Sequence, residues 1–270
     1  MSERGINVTS DVDGQRIRQY LKEGKRFDGR KPEEFRDLII EKNVSKKAEG
    51  SVRVKLGKTE VIVGVKLDVG TPYPDSLNKG NLMVTAEILP LSSPRIDLGP
   101  PKFEAIELGR VIDRGIRESK VIDLEKLCII EGEKVWTVFI DIYSINDDGN
   151  LLDAAGIGAL AALKIAKVPK YNEETGKADY GVEDKSMPLN DVNPIAITVR
   201  KIGNNFLVDP TREEEDICET RVTFGISDGS ISSVQKGDSK PLKVEELSKM
   251  IDMAEKVWKD IFKKLEKQVK

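Results

Sequence analysis

The order of patterns along this chain predicts an α+β fold made of two units, each a run of strands closed by a helix. Three observations carry that reading. Residues 136–143 alternate, with Trp136, Val138, Ile140 and Ile142 on one side and Thr137, Phe139, Asp141 and Tyr143 on the other, the period of a strand. Residues 151–166 are Leu, Ile, Ala and Gly almost all round, which marks a buried helix. A second series of strands and a long helix then follows residues 168–193, a stretch rich in Pro, Gly, Asn and charge that reads as a domain boundary or surface excursion. The expected organisation is an N-terminal helix and turn over 1–30, a first unit over 31–190 and a second over 191–270.

Composition narrows the chemistry. The chain has 270 residues, 39% hydrophobic and 34% charged, with a net charge of −3. That is enough for a substantial core, and the dense charge with few aromatics suits a thermophile. No apolar run approaches the ~20 residues of a membrane span and the polar N-terminus is no signal peptide, so a cytoplasmic protein without membrane contact is expected. The acidic balance confines any nucleic-acid contact to a local stripe. There is no histidine, which excludes Ser/His/Asp and Cys/His catalysis and histidine-held metals. Cys128 and Cys218 read as reduced packing residues.

In chain order, residues 11–22 place Ile17, Tyr20 and Leu21 on one helical face. The stretch Arg26-Phe27-Asp28-Gly29-Arg30 before Pro32 reads, on its own, as a charged surface link. Residues 35–40 predict a strand, residues 50–69 a hairpin turning at Gly57-Lys58, and residues 82–89 a further strand, with an ordered loop over 90–101. Residues 102–119 form an amphipathic helix: Leu108, Val111, Ile112 and Gly115 make its core stripe, while Arg110, Arg114 and Arg117 share the opposite face. Such a ridge is either a phosphate clamp, because guanidinium offers a planar fork of donors, or a solvated face with Glu107 and Glu118 in local ion pairs. Asn146-Asp147-Asp148-Gly149-Asn150 is a turn between the central strand and helix. In the second unit, strands are expected at 195–199, 206–208, 221–226 and 231–235, and a helix at 244–269.

Arg26 to Arg30, Gly57-Lys58-Thr59-Glu60-Val61, the helix from Leu108-Gly109-Arg110 to Arg117, and the strand–turn–helix at 136–163 together resemble RNase PH-type phosphorolytic exoribonucleases over most of residues 25–262. More narrowly, Pro72-Tyr73-Pro74-Asp75, residues 86–91 and Leu98-Gly99-Pro100-Pro101 resemble the non-catalytic RNase PH-like subunit of the archaeal exosome. The resemblance implies an RNase PH fold, two β–α units packed together, the first like a ribosomal S5 domain. It implies an alternating hetero-hexameric ring with a catalytic RNase PH-like subunit, RNA-binding cap subunits and single-stranded RNA as partners. It also implies 3′ to 5′ phosphorolysis, with inorganic phosphate and magnesium used by the complex and no cofactor bound by this chain.

Departures from the family pattern decide the role. Active members carry Gly-Ser or Gly-Thr and then Arg at the phosphate turn; the matching positions here are Gly149, Asn150 and Leu151, beside Asp147 and Asp148. Leucine supplies no donor, and the aspartates repel phosphate. Of the two family carboxylates, Asp209 matches the first and Glu215 replaces the second. Read without the family, Asp209 is a turn residue before Pro210, residues 213–216 are a solvated acidic run, and Asp209→Ala is expected to change turnover little. The resemblance assigns Arg110 and Arg114, and less firmly Arg117, to the RNA 3′ end. The expected role is a non-catalytic, RNA-holding subunit that completes a shared site. A self-sufficient phosphorolytic enzyme and a stand-alone RNA-binding module are the alternatives. The kinases that share an S5-like unit rank last, because no glycine-rich phosphate loop of their type is visible.

Overall fold

A computed structural model describes residues 9–270; residues 1–8 of the expected N-terminal segment lie outside the described residues. After helix α1 (Asp11–Lys22), the first sheet forms from β1 (Leu38–Lys42), β2 (Gly50–Leu56), β3 (Thr59–Gly70), β4 (Asn81–Ile88), β5 (Cys128–Ile130) and β6 (Lys134–Asn146). Its order is β1-β2-β3-β6-β4 with β5 also on β6, and the β4–β6 pair is parallel while the others are antiparallel. Helix α2 (Phe103–Ser119) makes the crossover between β4 and β6, and α3 (Leu151–Ile165) follows β6. The second sheet, β10-β9-β11-β12, is antiparallel and comprises β9 (Ile195–Ile202), β10 (Asn205–Val208), β11 (Thr220–Ser227) and β12 (Ser230–Gly237). A short helix α4 (Arg212–Asp216) joins β10 to β11, and α5 (Val244–Val269) closes the chain of elements.

The two units meet across α3, which packs on β2 and β3 on one side and on β9 on the other. Two glycines two positions apart serve the two sheets, because two residues turn a helix by about 200°. A Cβ at Gly158 would lie 2.6 Å from Val63 Cγ2, and one at Gly156 would lie 2.8 Å from Ala196 Cβ. The helix is buried along its length, as its composition predicts, and one apolar core spans both sheets. Helix α5 lies against β9, β11 and β1, burying Met250, Ala254, Val257, Trp258, Ile261 and Leu265. Near its end, the Gln268 amide accepts from Ile40 N (2.8 Å) and donates to Leu38 O (3.0 Å), so a side chain stands where a neighbouring strand would pair with β1.

Three expectations are refined. Within the stretch read as a domain boundary or surface excursion, residues 167–186 form a hairpin, β7 (Lys167–Asn172) and β8 (Lys177–Ser186), separate from both main sheets. Gly176 takes the positive φ of 66° its turn requires, and Pro169 is tolerated because a two-stranded sheet consists of edges. Tyr20 stays outside the core that takes Ile17 and Leu21; it stacks edge-on with Phe27 at 5.0 Å. The first strand begins at Leu38 rather than at residue 35, since Arg36 is drawn into the polar network described below.

Sheet and helix also approach closely at Gly50, where a Cβ would lie 2.9 Å from Ala166 Cα and press on the Ala162 carbonyl. Both obstacles are backbone. Gly50→Ala is therefore expected to destabilise the protein by about 1–3 kcal/mol. Thermal or denaturant unfolding checks this, and an unchanged midpoint contradicts the packing described.

Candidate functional site

The turn before α3 ends in Asn150, buried and left-handed at φ 62°, and the helix N-terminus it caps is a natural place for an anion. That place is taken from within. The Asn150 backbone N–H donates to Glu215 Oε1 at 2.9 Å, and Glu215 is gripped by Arg200 at 2.5 Å and Arg212 at 2.9 Å. Burial alone would raise the Glu215 pKa, but the Arg200 and Arg212 guanidiniums outweigh it and hold the carboxylate below its usual range. Arg212 also pairs with Asp147, so that aspartate is neutralised rather than repelling. Gly149 lets the 210–212 backbone lie against the turn, since a Cβ there would sit 2.6 Å from Pro210 O. Leu151 is buried beside it.

Asp209 is the second centre. It is 0% exposed and has a positive φ of 46°, a conformation Asp tolerates better than most residues. Its carboxylate accepts a fork from Arg36, Nε to Oδ2 at 2.9 Å and Nη2 to Oδ1 at 2.7 Å, besides the Arg36 backbone N–H at 2.7 Å. Arg30 Nη1 donates at 2.9 Å and Asn150 Nδ2 at 2.8 Å. Arg36 also donates to the carbonyls of Asp148 and Gly149, both at 3.0 Å. Burial would lower the Arg36 pKa, yet Asp209 raises it above the ordinary value. Alongside, Arg26, only 2% exposed, forks onto Glu214 and donates to the carbonyls of Val208 and Asp209.

The structure thus brings Gly149, Asn150, Leu151, Asp209 and Glu215 together, as the family pattern requires, and corrects their local reading. Asp209 is the hub of a buried network rather than a turn residue. Of the acidic run, Glu214, Glu215 and Asp216 are engaged by Arg26, Arg200, Arg212 and Arg95, and only Glu213 is exposed. The Arg26–Arg30 stretch is a clamp on 208–214, not a surface link. A magnesium ion does not fit these carboxylates: both are saturated by guanidinium and amide donors, which a cation would have to displace. No cluster of three or more metal-ligating side chains occurs among the described residues. The adjoining cleft, about 500 Å³, is lined by five cationic and six acidic side chains, with Arg95, Arg200, Arg212 and Arg221 each bound to a carboxylate. It offers a phosphate no uncommitted guanidinium.

The α2 ridge differs. Arg110 and Arg114 are exposed, and neither makes a hydrogen bond or ion pair among the described residues. Arg117 is exposed but committed, pairing with Asp113 at 2.6 Å and donating to Leu82 O at 3.0 Å. Glu107 makes no local pair; it reaches Arg221 of β11 instead. On the same helix Phe103 and Ile106 stand exposed, and Leu98 just before it is 91% exposed. The ridge therefore continues from an uncovered apolar patch into free guanidiniums.

Sequence reading missed Arg36, Arg200, Arg212 and Arg221. A signal existed for two of them. Arg200 and Arg221 are buried in their strands and lie directly opposite each other in the β9–β11 register, so each needs a carboxylate from elsewhere. Arg36 gives no such sign, although Gly57 is glycine where a Cβ would collide with its stem.

Comparison with known proteins supplies independent findings. The family profile for the 3′ exoribonuclease family (RNase PH), domain 1, matches residues 34–169, and that for domain 2 matches residues 193–257. The chain is 49% identical over 257 residues to exosome complex component Rrp42 of Thermococcus onnurineus, covering 94% of this chain and 93% of that protein. It is 45% identical to its counterpart in Methanopyrus kandleri, covering 98% and 99%. A chain of the Archaeoglobus fulgidus exosome with RNA bound to the active site superposes with a TM-score of 0.88 at 42% identity, covering 94% of this chain and 98% of that one. A chain of rice Rrp46 shares the fold, with a TM-score of 0.69 at 17% identity, covering 91% and 100%.

Two outcomes follow from the network. Asp209→Ala leaves buried guanidiniums unpaired and is expected to cost about 3–5 kcal/mol, read by denaturant unfolding; a loss below 1 kcal/mol would show the hub is dispensable. The carboxyl of Asp153, at the start of α3, is pushed up to about 7 by burial and the nearby Asp209, against an ordinary 3.8. The folded state then keeps a proton that the unfolded state releases above pH ~4, so stability falls as pH rises toward ~7. Compared with Asp153→Asn, the native protein should lose stability between about pH 4 and 7 and level off above that; parallel stability profiles would rule this out.

Proposed function

The chain belongs to the RNase PH-type 3′ exoribonuclease family, and from that premise we propose that it is a non-catalytic subunit of an archaeal exosome ring. It holds RNA for an active centre built by a neighbouring RNase PH-like subunit. The observation that supports this most is the contrast between its two arginine sets. Guanidiniums around the degenerate turn are all spent on carboxylates, whereas Arg110 and Arg114 stand free beside exposed Phe103 and Ile106.

Phosphorolysis needs a site for free phosphate and charge stabilisation at the leaving oxygen. Here Glu215 fills the anion position at the α3 N-terminus, so attack by phosphate takes place in the partner, which also supplies the carboxylates for magnesium. The apolar residues Leu98, Phe103 and Ile106 seat against that partner, and alternation of the two subunits closes a hetero-hexameric ring carrying RNA-binding caps. Arg110 and Arg114 then face the shared centre and hold successive phosphates of the 3′ end, positioning the strand without reading its sequence. Arg117, tied to Asp113, contributes less. No helix among the described residues is long and apolar enough to cross a membrane.

Release of nucleoside diphosphate from 3′-labelled RNA, with phosphate and magnesium, tests this reading. The chain alone should be silent and the mixture with its catalytic partner active. In that mixture, Arg110→Glu with Arg114→Glu should lower kcat/KM at least tenfold while the ring still assembles. Turnover by the chain alone, or full activity of the double variant, would overturn it.

A further inference from the structure

Away from α2, a cleft of about 360 Å³ opens between residues 46–49 and the β7–β8 hairpin. Lys46, Lys47, Lys167, Tyr180, Val182 and Glu183 line it. Tyr180 is 56% exposed, yet it is held in place. Its hydroxyl bonds Asp68 Oδ1 at 3.1 Å, and Lys66 Nζ sits 4.6 Å from the ring centroid. Lys66 is itself fixed by Glu49 at 2.6 Å, and Lys167 donates to Ser186 Oγ at 3.0 Å. The side chains of Lys46 and Lys47 make no hydrogen bond or ion pair among the described residues. The cleft therefore presents an oriented ring next to two free ammonium groups.

We propose that this cleft binds single-stranded RNA, a base stacking on Tyr180 while adjoining phosphates meet Lys46 and Lys47. Aromatic stacking beside a cationic track is how sequence-tolerant strand binding works. An acidic peptide would use the lysines but has no need of an anchored ring. Asp68, which holds Tyr180, pairs with Thr137 of β6, and Leu82, whose carbonyl takes Arg117, pairs with Val138. Thr137 and Val138 face opposite sides of the sheet, so the cleft and the α2 ridge lie on its two faces, and a strand that meets both passes around the β4 edge. Glu49 and Glu183 are the opposing charges in the lining; Glu49 is held by Lys66, and removal of Glu183 should tighten binding.

This inference rests on the preceding reading that RNA passes this subunit, and the test separates the two. Fluorescence anisotropy of short and long labelled oligouridylates is measured on the assembled ring in phosphate-free buffer. Lys46→Ala with Lys47→Ala should weaken the long RNA about tenfold and reduce its log–log salt slope by about 1.4, the share of two phosphates on a single strand. The short RNA, which reaches only the α2 ridge, should be unaffected. Tyr180→Ala should weaken the long RNA at least about fivefold, and Tyr180→Phe, which keeps the ring, should not. Unchanged long-RNA affinity and slope in these variants overturns the proposal, as does loss of cap-subunit binding with RNA binding intact, which makes the cleft a protein-docking site. If Arg110→Glu with Arg114→Glu weakens neither RNA, the functional reading fails while the result for the cleft stands.

Discussion

Asp209 is a carboxylate with no access to water, and much of the chain's arrangement follows from the need to surround it with donors. Arg30 and Arg36 come from the segment before the first sheet, Asn150 from the start of the central helix, and Asp209 itself from the end of β10. One side chain thus ties together three stretches that no sheet pairing connects. Arg36 extends the tie by bonding the carbonyls of the turn, and Gly57 leaves room for it to do so. The neighbouring pairs, Arg26 with Glu214 and Arg200 with Glu215, repeat the device. Ion pairs of this kind add little net stability over apolar packing but specify one arrangement strongly, because any misplacement strands a charge.

Much of the fold was legible because it rests on local patterns. Period-two alternation marked β2, β3 and β6, and the all-apolar run marked α3; the structure bears these out to within a few residues. The hairpin at 167–186 was hidden by its turn-forming composition, and α4 by its brevity. The site was legible only by halves. That Gly149, Asn150 and Leu151 depart from the family's phosphate turn is legible once the resemblance is drawn. That Glu215 replaces the missing anion does not, since no pattern in a linear sequence tells which buried arginine meets which carboxylate. Asp209 shows the same limit. As a residue before proline it resembles any turn, and its role emerges only when segments more than a hundred positions apart close around it.

Leu151 brings no cation to the turn before α3, and the arginines around that turn point inward onto carboxylates. The α2 ridge shows the opposite economy, with Arg110 and Arg114 left without internal partners at a permanent cost in self-repulsion.

The contact between Gln268 and β1 bears on how the molecule is made. Ile40 and Gln268 are 228 positions apart, so during synthesis the β1 edge exists long before the amide that covers it. In that interval the nascent chain presents unpaired backbone groups at Leu38 and Ile40, open to pairing with any extended strand nearby. Folding of the first unit therefore leaves a window of vulnerability that closes only when α5 docks. Its length is set by the time the ribosome takes to deliver the second unit.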